Sequence, residues 1–297
     1  MIRVRRRDVS LAAMVLALFA VGIGIVLGLF GGGGSILTVP VLVYAAGLPP
    51  KVAIATSLLI VTIVSSVAVL AYARRGLVAY RTGIRFGVSS MLGAFAGGYL
   101  ARFVPGFALL VLFAVLVTLS AAAMLIRRAP AAQQTGNARL AGWMALVGVP
   151  VGVFTGLVGA GGGFVVVPTL TVLGGLSLRR AVATSLLIIL LNSGAALAGY
   201  SGHTAVDQGA ALFVTGFAVL GALVGTWGSD RIPGHWIRFG FGALVLNMGC
   251  GMLAHEFGAD PVMAIVPAML LSLILAAKVD RHEDPLPVEP AEVRGEP

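Results

Sequence analysis

Two runs of glycine have the clearest potential for ligand chemistry in this chain. The first is Gly31-Gly32-Gly33-Gly34-Ser35 and the second is Gly159-Ala160-Gly161-Gly162-Gly163. Glycine weakens a helix by about 1 kcal/mol per residue relative to alanine, so a helix should break at each run. The turn after a break has N–H groups without intrahelical partners and about half a positive charge. Because glycine also lets a ligand approach the backbone closely, we expect both runs to bind an anion.

Two Thr–Ser pairs and one asparagine are the next candidates. Thr56-Ser57 and Thr184-Ser185 stand near the start of the helix that follows each glycine run. Their hydroxyl groups could donate to a bound oxyanion, or could equally satisfy backbone carbonyl groups freed at the glycine breaks. Asn192, the lone amide of its segment, is a weaker candidate donor.

The composition places these residues in a membrane. The 297 residues are 59% hydrophobic and 10% charged, with a mean hydropathy of +1.03, which is too much apolar surface for a water-soluble globule. The net charge of +9 comes from basic residues in short loops beside apolar segments, so they indicate membrane orientation rather than nucleic-acid binding. The single cysteine, Cys250, excludes an intrachain disulfide and a multi-cysteine metal cage.

Long apolar segments predict the elements that position the candidate residues. A helix needs about 20 apolar residues to cross a bilayer, and continuous segments of this kind lack the alternation of β-barrel strands. The fold class is therefore an all-α polytopic membrane protein. The predicted spans are Leu11–Phe30, Val52–Tyr72, Phe86–Ala101, Phe107–Ile126, Leu140–Val158, Val182–Tyr200, Ala210–Gly228, Ile237–Ala254 and Val262–Ala277.

A short apolar segment containing a proline, Pro40 or Pro168, follows each glycine run. At about a dozen residues, each segment predicts a half-helix rather than a full span. Irregular backbone at membrane depth is tolerated only where it is buried in protein or lines a wet cavity. The breaks therefore indicate an interior cavity, and we count both prolines among the candidate site residues. The alternative is that the glycines only allow close helix packing, although packing motifs space glycines by four instead of bunching them.

The chain contains an internal repeat in which equivalent residues are 128 positions apart. Glycines, prolines and the Thr–Ser pairs coincide at this one offset, which chance similarity between apolar segments would not produce. The aligned segments include Gly28–Gly34 with Gly156–Gly162, Val39-Pro40 with Val167-Pro168, Ala55–Ile60 with Ala183–Ile188, and Gly93 and Gly97 with Gly221 and Gly225. The predicted domains are a basic N-terminal tail (1–10), transmembrane repeat 1 (11–126), a cytoplasmic linker (127–139), transmembrane repeat 2 (140–258), an extra C-terminal span (259–279) and a disordered tail (280–297).

Loop charges predict that the two repeats are inverted. Ala73–Arg85 contains four arginines, whereas its counterpart Ser201–Gly209 contains no lysine or arginine. Gly175–Arg180 contains two arginines, whereas its counterpart contains only Lys51. Because positive loops face the cytoplasm, equivalent loops lie on opposite sides. The side of the N-terminus stays open, since two full crossings by the first broken segment would place an arginine-rich terminus outside.

Other charged residues carry weaker signals. Lys51, Arg179 and Arg180 could attract anions, although orientation in the membrane is the commoner role of such residues. The loop residues His203, Asp207, His255 and Glu256 match no metal-binding spacing and are typical of an interface with water. The glycine runs lack the Gly-Lys-Ser/Thr of a nucleotide-binding loop, and no catalytic triad is visible. We therefore expect no cofactor, no metal and no enzymatic activity.

With these motifs the chain resembles the sulfite exporter TauE/SafE family, also called TSUP. The resemblance covers most of residues 11 to 279. It rests on the duplicated pattern at Gly28–Pro40 and Gly156–Pro168, each followed by Ala-Thr-Ser-Leu. It implies a permease of the bacterial inner (plasma) membrane for sulfur-containing anions such as sulfite or organosulfonates, often working as an exporter.

The sequence therefore predicts a secondary transporter with alternating access around a central anion site. Its partners would be a small anionic substrate, sulfite or an organosulfonate, and the lipid bilayer, with no nucleic acid and a possible homo-oligomer. Two alternatives stay open. One is a non-transporting membrane scaffold or accessory subunit in which the glycines serve packing alone, and the other is an anion channel.

Overall fold

The structure is a computed structural model that describes residues 6–126, 138–159, 161–172, 174–229, 234–260, 265 and 267–269. Within these ranges the chain is helical and no strand occurs. The helices are α1 (Arg6–Phe30), α2 (Gly33–Pro40), α3 (Pro50–Ala73), α4 (Tyr80–Leu100), α5 (Gly106–Ile126), α6 (Ala138–Val158), α7 (Gly163–Val172), α8 (Leu178–Tyr200), α9 (Gln208–Gly228) and α10 (Gly234–Glu256).

The apolar character of these helices is that of a membrane protein. Four segments of the described chain are long and apolar enough to cross a bilayer. They are Ala13–Phe30, Pro50–Ala73, Arg179–Tyr200 and Gln208–Gly228. Shorter apolar helices occupy Gly34–Ala45, Gly106–Ala122 and Leu146–Val158.

Helix boundaries agree with the apolar segments and extend beyond several of them. Every predicted span up to Ala254 lies within one helix, except that Ala101 is one residue beyond the end of α4. The N-terminal ends follow local chemistry: proline occupies the first position of α3, and the Asp207 carboxylate caps α9 by accepting from the Ala210 N–H at 2.8 Å. Most of the predicted span Val262–Ala277, the predicted C-terminal tail, most of the predicted linker 127–139 and residues 1–5 lie outside the described residues. Residues 6–10, predicted as part of a basic N-terminal tail, belong instead to α1.

Helices α1 and α9 pack in parallel with their backbones in direct contact. Gly24 of α1 faces Ala218 and Ala222 of α9, and one turn later Gly28 faces Ala222 and Thr226. A Cβ added at Gly28 would lie 2.5 Å from the carbonyl oxygen of Ala222, which is too close for any side chain at this position. Glycines spaced by four therefore form a packing seam of the kind common between membrane helices.

Helices α4 and α6 form the equivalent seam in the same parallel sense. Gly93 faces Val149 and Val153, and Gly97 faces Val153 and Leu157. Gly152 and Gly156 of α6 occupy the positions equivalent to Gly24 and Gly28, and they face Ser90 and Ala94. Each seam joins the first helix of one repeat to the fourth helix of the other, so the repeats are interlocked.

Helices α3 and α8 lie at the centre of the bundle and contact each other. α3 runs parallel to α9, because residues near its start and end, Thr56 and Arg75, bond to Asp207 and Thr226 near the start and end of α9. α4 runs parallel to α8, since Gly83 faces Thr184 near the start of α8 while Gly98 faces Ala196 near its end. These central helices are the ones that follow the two glycine breaks, so they position the candidate site.

Candidate functional site

Both predicted helix breaks are present. Helix α1 ends at Phe30 and α2 begins at Gly33, while α6 ends at Val158 and α7 begins at Gly163. The break residues Gly31 and Gly159 have φ values of 75° and 74°, a conformation that glycine alone adopts readily. Both breaks therefore begin with an equivalent glycine in the same conformation, although in the second break Gly161 and Gly162 also have positive φ values, of 61° and 77°.

The two breaks contact each other through bare backbone. A Cβ added at Gly32 would overlap the Cα of Gly163, and one added at Gly163 would overlap the Cα of Gly32. Gly32 is the N-cap of α2 and Gly163 is the first residue of α7, so the N-terminal ends of both half-helices lie together. The prediction that the interrupted helices meet is confirmed.

At each break the chain reverses against the helix that precedes it. A Cβ added at Gly34 would overlap Leu27 and the carbonyl group of Ile23 on α1. In the second repeat, Gly162 faces the Thr155 side chain of α6, and its carbonyl oxygen accepts hydrogen bonds from Val165 and Val166 at 3.0 Å. The glycines thus allow a tight reversal that a larger residue would prevent.

The serines of the two Thr–Ser pairs lie against the break of the opposite repeat. The Ser57 hydroxyl is 2.9 Å from the Gly159 carbonyl oxygen and 2.7 Å from that of Ile54. Ser185 donates to the Val182 carbonyl oxygen at 2.8 Å, and a Cβ added at Gly31 would lie 2.6 Å from its Oγ. Their protons are directed at backbone carbonyl groups, which is the structural role considered for these hydroxyls from the sequence.

The threonines of these pairs hold the first residues of two other helices. Thr184 Oγ1 accepts from the Ala79 N–H, next to the start of α4, and Thr56 Oγ1 accepts from the Asp207 N–H, next to the start of α9, both at 3.0 Å. Ala79 and Asp207 are themselves 128 residues apart, so the two bonds are equivalent. Both threonines are fully buried.

The remaining predicted residues are a serine, two prolines and an asparagine, each in a different setting. Ser35 donates to the Gly32 carbonyl oxygen at 2.6 Å, which closes the first turn of α2. Pro40 ends the α-helical part of α2, and a π-helical turn follows it over Val41–Ala45, while Pro168 lies within α7. Asn192 is almost fully buried on α8, where its Oδ1 accepts from Ser90 of α4 at 2.7 Å.

Two serines outside the predicted motifs are also fully buried. Ser65 of α3 and Ser193 of α8 are 0% exposed, and neither hydroxyl has a hydrogen-bond partner among the described residues. Ser193 Oγ lies at the second break, 2.7 Å from the position of a Cβ added at Gly161. Ser65 and Ser193 are 128 residues apart, so the repeat offset itself was a signal that could have found them.

The basic residues singled out in the sequence, Lys51, Arg179 and Arg180, lie in the first turns of α3 and α8. Lys51 donates to the Arg102 carbonyl oxygen at 3.1 Å, and the Arg102 guanidinium lies 3.8 Å from the ring centre of Tyr99. Desolvation, followed by the charges of Lys51 and Arg102, lowers the pKa of His203, so this histidine is neutral at neutral pH. Arg179 and Arg180, at the position equivalent to Lys51, are exposed at the start of α8.

The histidine and acidic residues that the sequence analysis interpreted as interfacial make contacts of other kinds. Asp207 caps α9, whereas Glu256 accepts from the Tyr44 hydroxyl at 2.8 Å and the His255 ring lies 4.7 Å from that of Tyr44. Within the ranges that the structure describes, no three His, Cys, Asp or Glu side chains are close enough to hold a metal ion.

Interrupted helices that meet inside a bundle are an arrangement on which membrane transporters build solute sites. By this arrangement and its apolar helices, the chain falls in the class of membrane transport proteins. The sequence comparisons then identify the family. The chain belongs to the TauE/SafE family, whose profile, described as "Sulfite exporter TauE/SafE", matches residues 16–252.

Curated relatives carry names that agree with this class. A "Probable membrane transporter protein" of Xylella fastidiosa (strain 9a5c) is 33% identical over 231 residues, which cover 75% of this chain and 88% of the relative. "Probable membrane transporter protein YunE" of Bacillus subtilis is 32% identical, covering 61% of this chain and 74% of the relative. "Probable membrane transporter protein MJ0441" of Methanocaldococcus jannaschii is 30% identical, with 60% and 68% covered. These names indicate a transporter and not an enzyme. No solved structure matches the chain.

Proposed function

We propose that this protein is a multi-pass secondary transporter of the bacterial inner membrane that exports small sulfur-containing anions such as sulfite or organosulfonates. The observation that carries the proposal is the backbone contact between Gly32 and Gly163. It brings together the N-terminal ends of two half-helices, α2 and α7, within the bundle.

The electrostatics of this contact favour an anion. Each helix N-terminus carries about half a positive charge and has N–H groups without intrahelical partners. Two such ends placed together repel each other in a medium of low dielectric, and a shared negative ligand relieves this repulsion. In the proposal, the break glycines admit the ligand, while the Thr–Ser pairs hold the breaks in position.

Alternating access follows from an inverted arrangement of the two repeats, which we include in the proposal. Its support is directional: α1 and α3 run parallel to α9, whereas α4 runs parallel to α6 and α8. Ala79, which follows the end of α3, bonds to Thr184 near the start of α8, and Asp207, which follows the end of α8, bonds to Thr56 near the start of α3. These bonds support an antiparallel arrangement of α3 and α8, and in the proposal equivalent helices of the two repeats therefore run in opposite directions. A site between two such repeats can open to either side as they rock.

Substrate and direction rest on different arguments. The family description supplies the sulfur-containing anion. Export is supported by charge, because a membrane potential that is negative inside contributes about 2.3 kcal/mol per elementary charge per 100 mV to the outward movement of an anion. This force drives export without a coupling ion.

The test is flux in liposomes that contain the purified protein, with labelled sulfite or methanesulfonate as substrate. We expect protein-dependent, saturable efflux that increases when the potential is made negative inside. Gly32→Ala, which forces the breaks apart, should lower this flux at least tenfold. Gly216→Ala, on an exposed position of α9 with open space around it, should leave the flux unchanged.

Three results would contradict the proposal. Absence of flux would indicate a scaffold or accessory subunit, and flux that never saturates would indicate a channel. Normal flux in Gly32→Ala would remove the contact between the breaks from the site. Substrate-dependent thermal stabilisation of the wild-type protein serves as an independent measure of binding, because a ligand that binds only the folded state raises its stability.

A further inference from the structure

Three buried side chains on the central helices have polar atoms without partners. Ser65 and Ser193 are 0% exposed and Asn192 is 1% exposed. Ser65 Oγ, Ser193 Oγ and Asn192 Nδ2 have no hydrogen-bond partner among the described residues. Buried polar groups are nearly always paired in folded proteins, so three orphans on two adjacent helices require an explanation.

The second glycine break lies beside Ser193 Oγ and against the face of α3 that carries Ser65. The position of a Cβ added at Gly161 is 2.7 Å from Ser193 Oγ and 3.3 Å from Val61 Cγ1 of α3. Ser65 lies one helical turn after Val61 and so shares its face of α3, as Ser193 lies one turn after Ile189, which also contacts Gly161. The break is therefore bordered by the α3 face that carries Ser65 and the α8 face that carries Ser193.

A hydrogen bond to the amide oxygen orients the side chain of Asn192. Ser90 of α4 is 2.7 Å from Asn192 Oδ1 and donates its proton to it. This bond fixes the amide so that the orphan is the NH₂ group, which can only donate. The NH₂ group of Asn192 is therefore a buried, fixed and unpaired donor that can bind a ligand carrying a hydrogen-bond acceptor.

We propose that Ser65, Asn192 and Ser193 bind the transported anion next to the glycine breaks, and that this uncharged donor set selects singly charged oxyanions. The inference rests on the proposed function and names the ligands of the same site. Two hydroxyl groups and one amide can donate to an oxyanion such as hydrogensulfite or an alkanesulfonate. The repeat offset relates Ser65 to Ser193 and thus gives each repeat one hydroxyl donor.

The selectivity for single charge follows from the surroundings. All the buried polar side chains in the described part of the chain are uncharged: they are serine, threonine and asparagine. The cost of burying an ion rises with the square of its charge, whereas the gain from neutral donors rises only in proportion to the charge. A dianion such as sulfate is therefore bound much more weakly here than a monoanion of similar size.

The experiment compares substrates and variants in the same liposomes. Methanesulfonate carries one charge at all working pH values, sulfate carries two, and sulfite gains a proton to become hydrogensulfite as the pH falls. We expect saturable flux of methanesulfonate, at least tenfold slower flux of sulfate, and faster flux at pH 6 than at pH 8 when total sulfite is constant.

The variants test the donors one at a time. Ser65→Ala and Ser193→Ala should each raise the KM for methanesulfonate about tenfold, as expected for one lost hydrogen bond to a charged group. Ser66→Ala is the matched control, because this neighbouring hydroxyl on α3 bonds to its own helix at Ile63 and should leave KM unchanged. Asn192→Asp, which places a carboxylate where an amide donates, should abolish flux of the anion.

A second measurement separates binding from folding. Removing an unpaired buried hydroxyl should not lower the stability of the ligand-free protein, so Ser65→Ala and Ser193→Ala should melt at or above the wild-type temperature while losing stabilisation by methanesulfonate. Wild-type flux with unchanged KM in both serine variants would overturn the donor set and leave the proposed function standing. Equal flux of sulfate and methanesulfonate would overturn the charge selectivity. Absence of all anion flux in the wild type would overturn the proposed function and this inference with it.

Discussion

Thr56 and Thr184 each cap a helix that belongs to the other repeat. Asp207 and Ala79 are the N-cap residues of α9 and α4, and their N–H groups donate to these two hydroxyls. Helices lack intrahelical acceptors for the N–H groups at their start, so a side chain from a distant segment supplies one here. The threonines of the two Thr–Ser pairs thus connect one repeat to the other. This role depends on how the two halves pack against each other in the folded protein.

Replacing Thr184 with valine should destabilise the protein by about 1–3 kcal/mol, because the partly buried Ala79 N–H then loses its acceptor while the volume of the side chain is kept. Thr56→Val should have a similar effect through Asp207. The measurement is the free energy of unfolding in detergent. Thr62→Val is the control, since its hydroxyl donates only to Leu58 of its own helix and its loss should change stability by less than about 0.5 kcal/mol. Equal effects at Thr62 and Thr184 would argue against the cross-repeat cap.

The sequence identified these residues more readily than it identified their partners. A Thr–Ser pair repeated at one offset stands out, but its hydroxyls can donate or accept, and only the packing of distant helices shows which occurs. Ser65 and Ser193 were overlooked because serine is common in membrane helices and has no motif around it. Their lack of partners, which distinguishes them, is a property of the fold and not of the sequence.

Among the elements, the two glycine seams and the two glycine breaks use the same residue for different purposes. In the seams, glycines spaced by four bring α1 onto α9 and α4 onto α6. In the breaks, bunched glycines let the chain reverse, with positive φ values at Gly31 in the first break and at Gly159, Gly161 and Gly162 in the second. The spacing of glycines therefore predicts which role each group has, and this distinction was available from the sequence.

Gly225→Ala should disrupt the α1–α9 seam, because its Cβ would overlap the carbonyl oxygen of Ile25. Overpacking normally costs about 1–3 kcal/mol, and a clash with backbone leaves less room to relax than one with a side chain. We expect a lower melting temperature and a smaller monodisperse fraction in size-exclusion chromatography. Gly216→Ala on the same helix has open space and should behave as the wild type. If both variants behave alike, close backbone contact at Gly225 is not needed for the fold.

Helix boundaries were predicted less well than helix existence. Helix α4 begins at Tyr80 rather than at Phe86, since Arg81 and Arg85 interrupt the apolar pattern without interrupting the helix. Hydropathy detects where a helix enters the hydrocarbon region, whereas the backbone continues to the next turn or cap. The π-helical turn over Val41–Ala45 had no such signal, because it depends on the missing N–H of Pro40 together with packing around it.

At the scale of the whole molecule, the contact between the two breaks joins the repeats at their centre. Duplication could be predicted from the sequence, since glycines, prolines and the Thr–Ser pairs recur 128 residues apart. The contact of Gly32 with Gly163 could not, because it depends on how the two copies pack and not on either copy alone. The two seams are equivalent to each other at the 128-residue offset, and so are the two cross-repeat caps, so the same contacts recur in both repeats.

Inverted repeats require that equivalent loops face opposite sides of the membrane, and this can be tested with one pair of residues. Pro49 and Ser177 are equivalent at the 128-residue offset, and both are exposed in the loops before α3 and α8. Cysteines would be placed at each position in a Cys250→Ala background, which removes the only natural cysteine. We expect a membrane-impermeant maleimide to label Pro49→Cys in intact cells and Ser177→Cys only after permeabilisation, because Arg179 and Arg180 keep the second loop in the cytoplasm. The background variant alone should stay unlabelled. Labelling of both cysteines from the same side would mean that the repeats are parallel. The proposed mechanism would then fail, because it needs two inverted repeats that rock against each other to open the site to each side in turn.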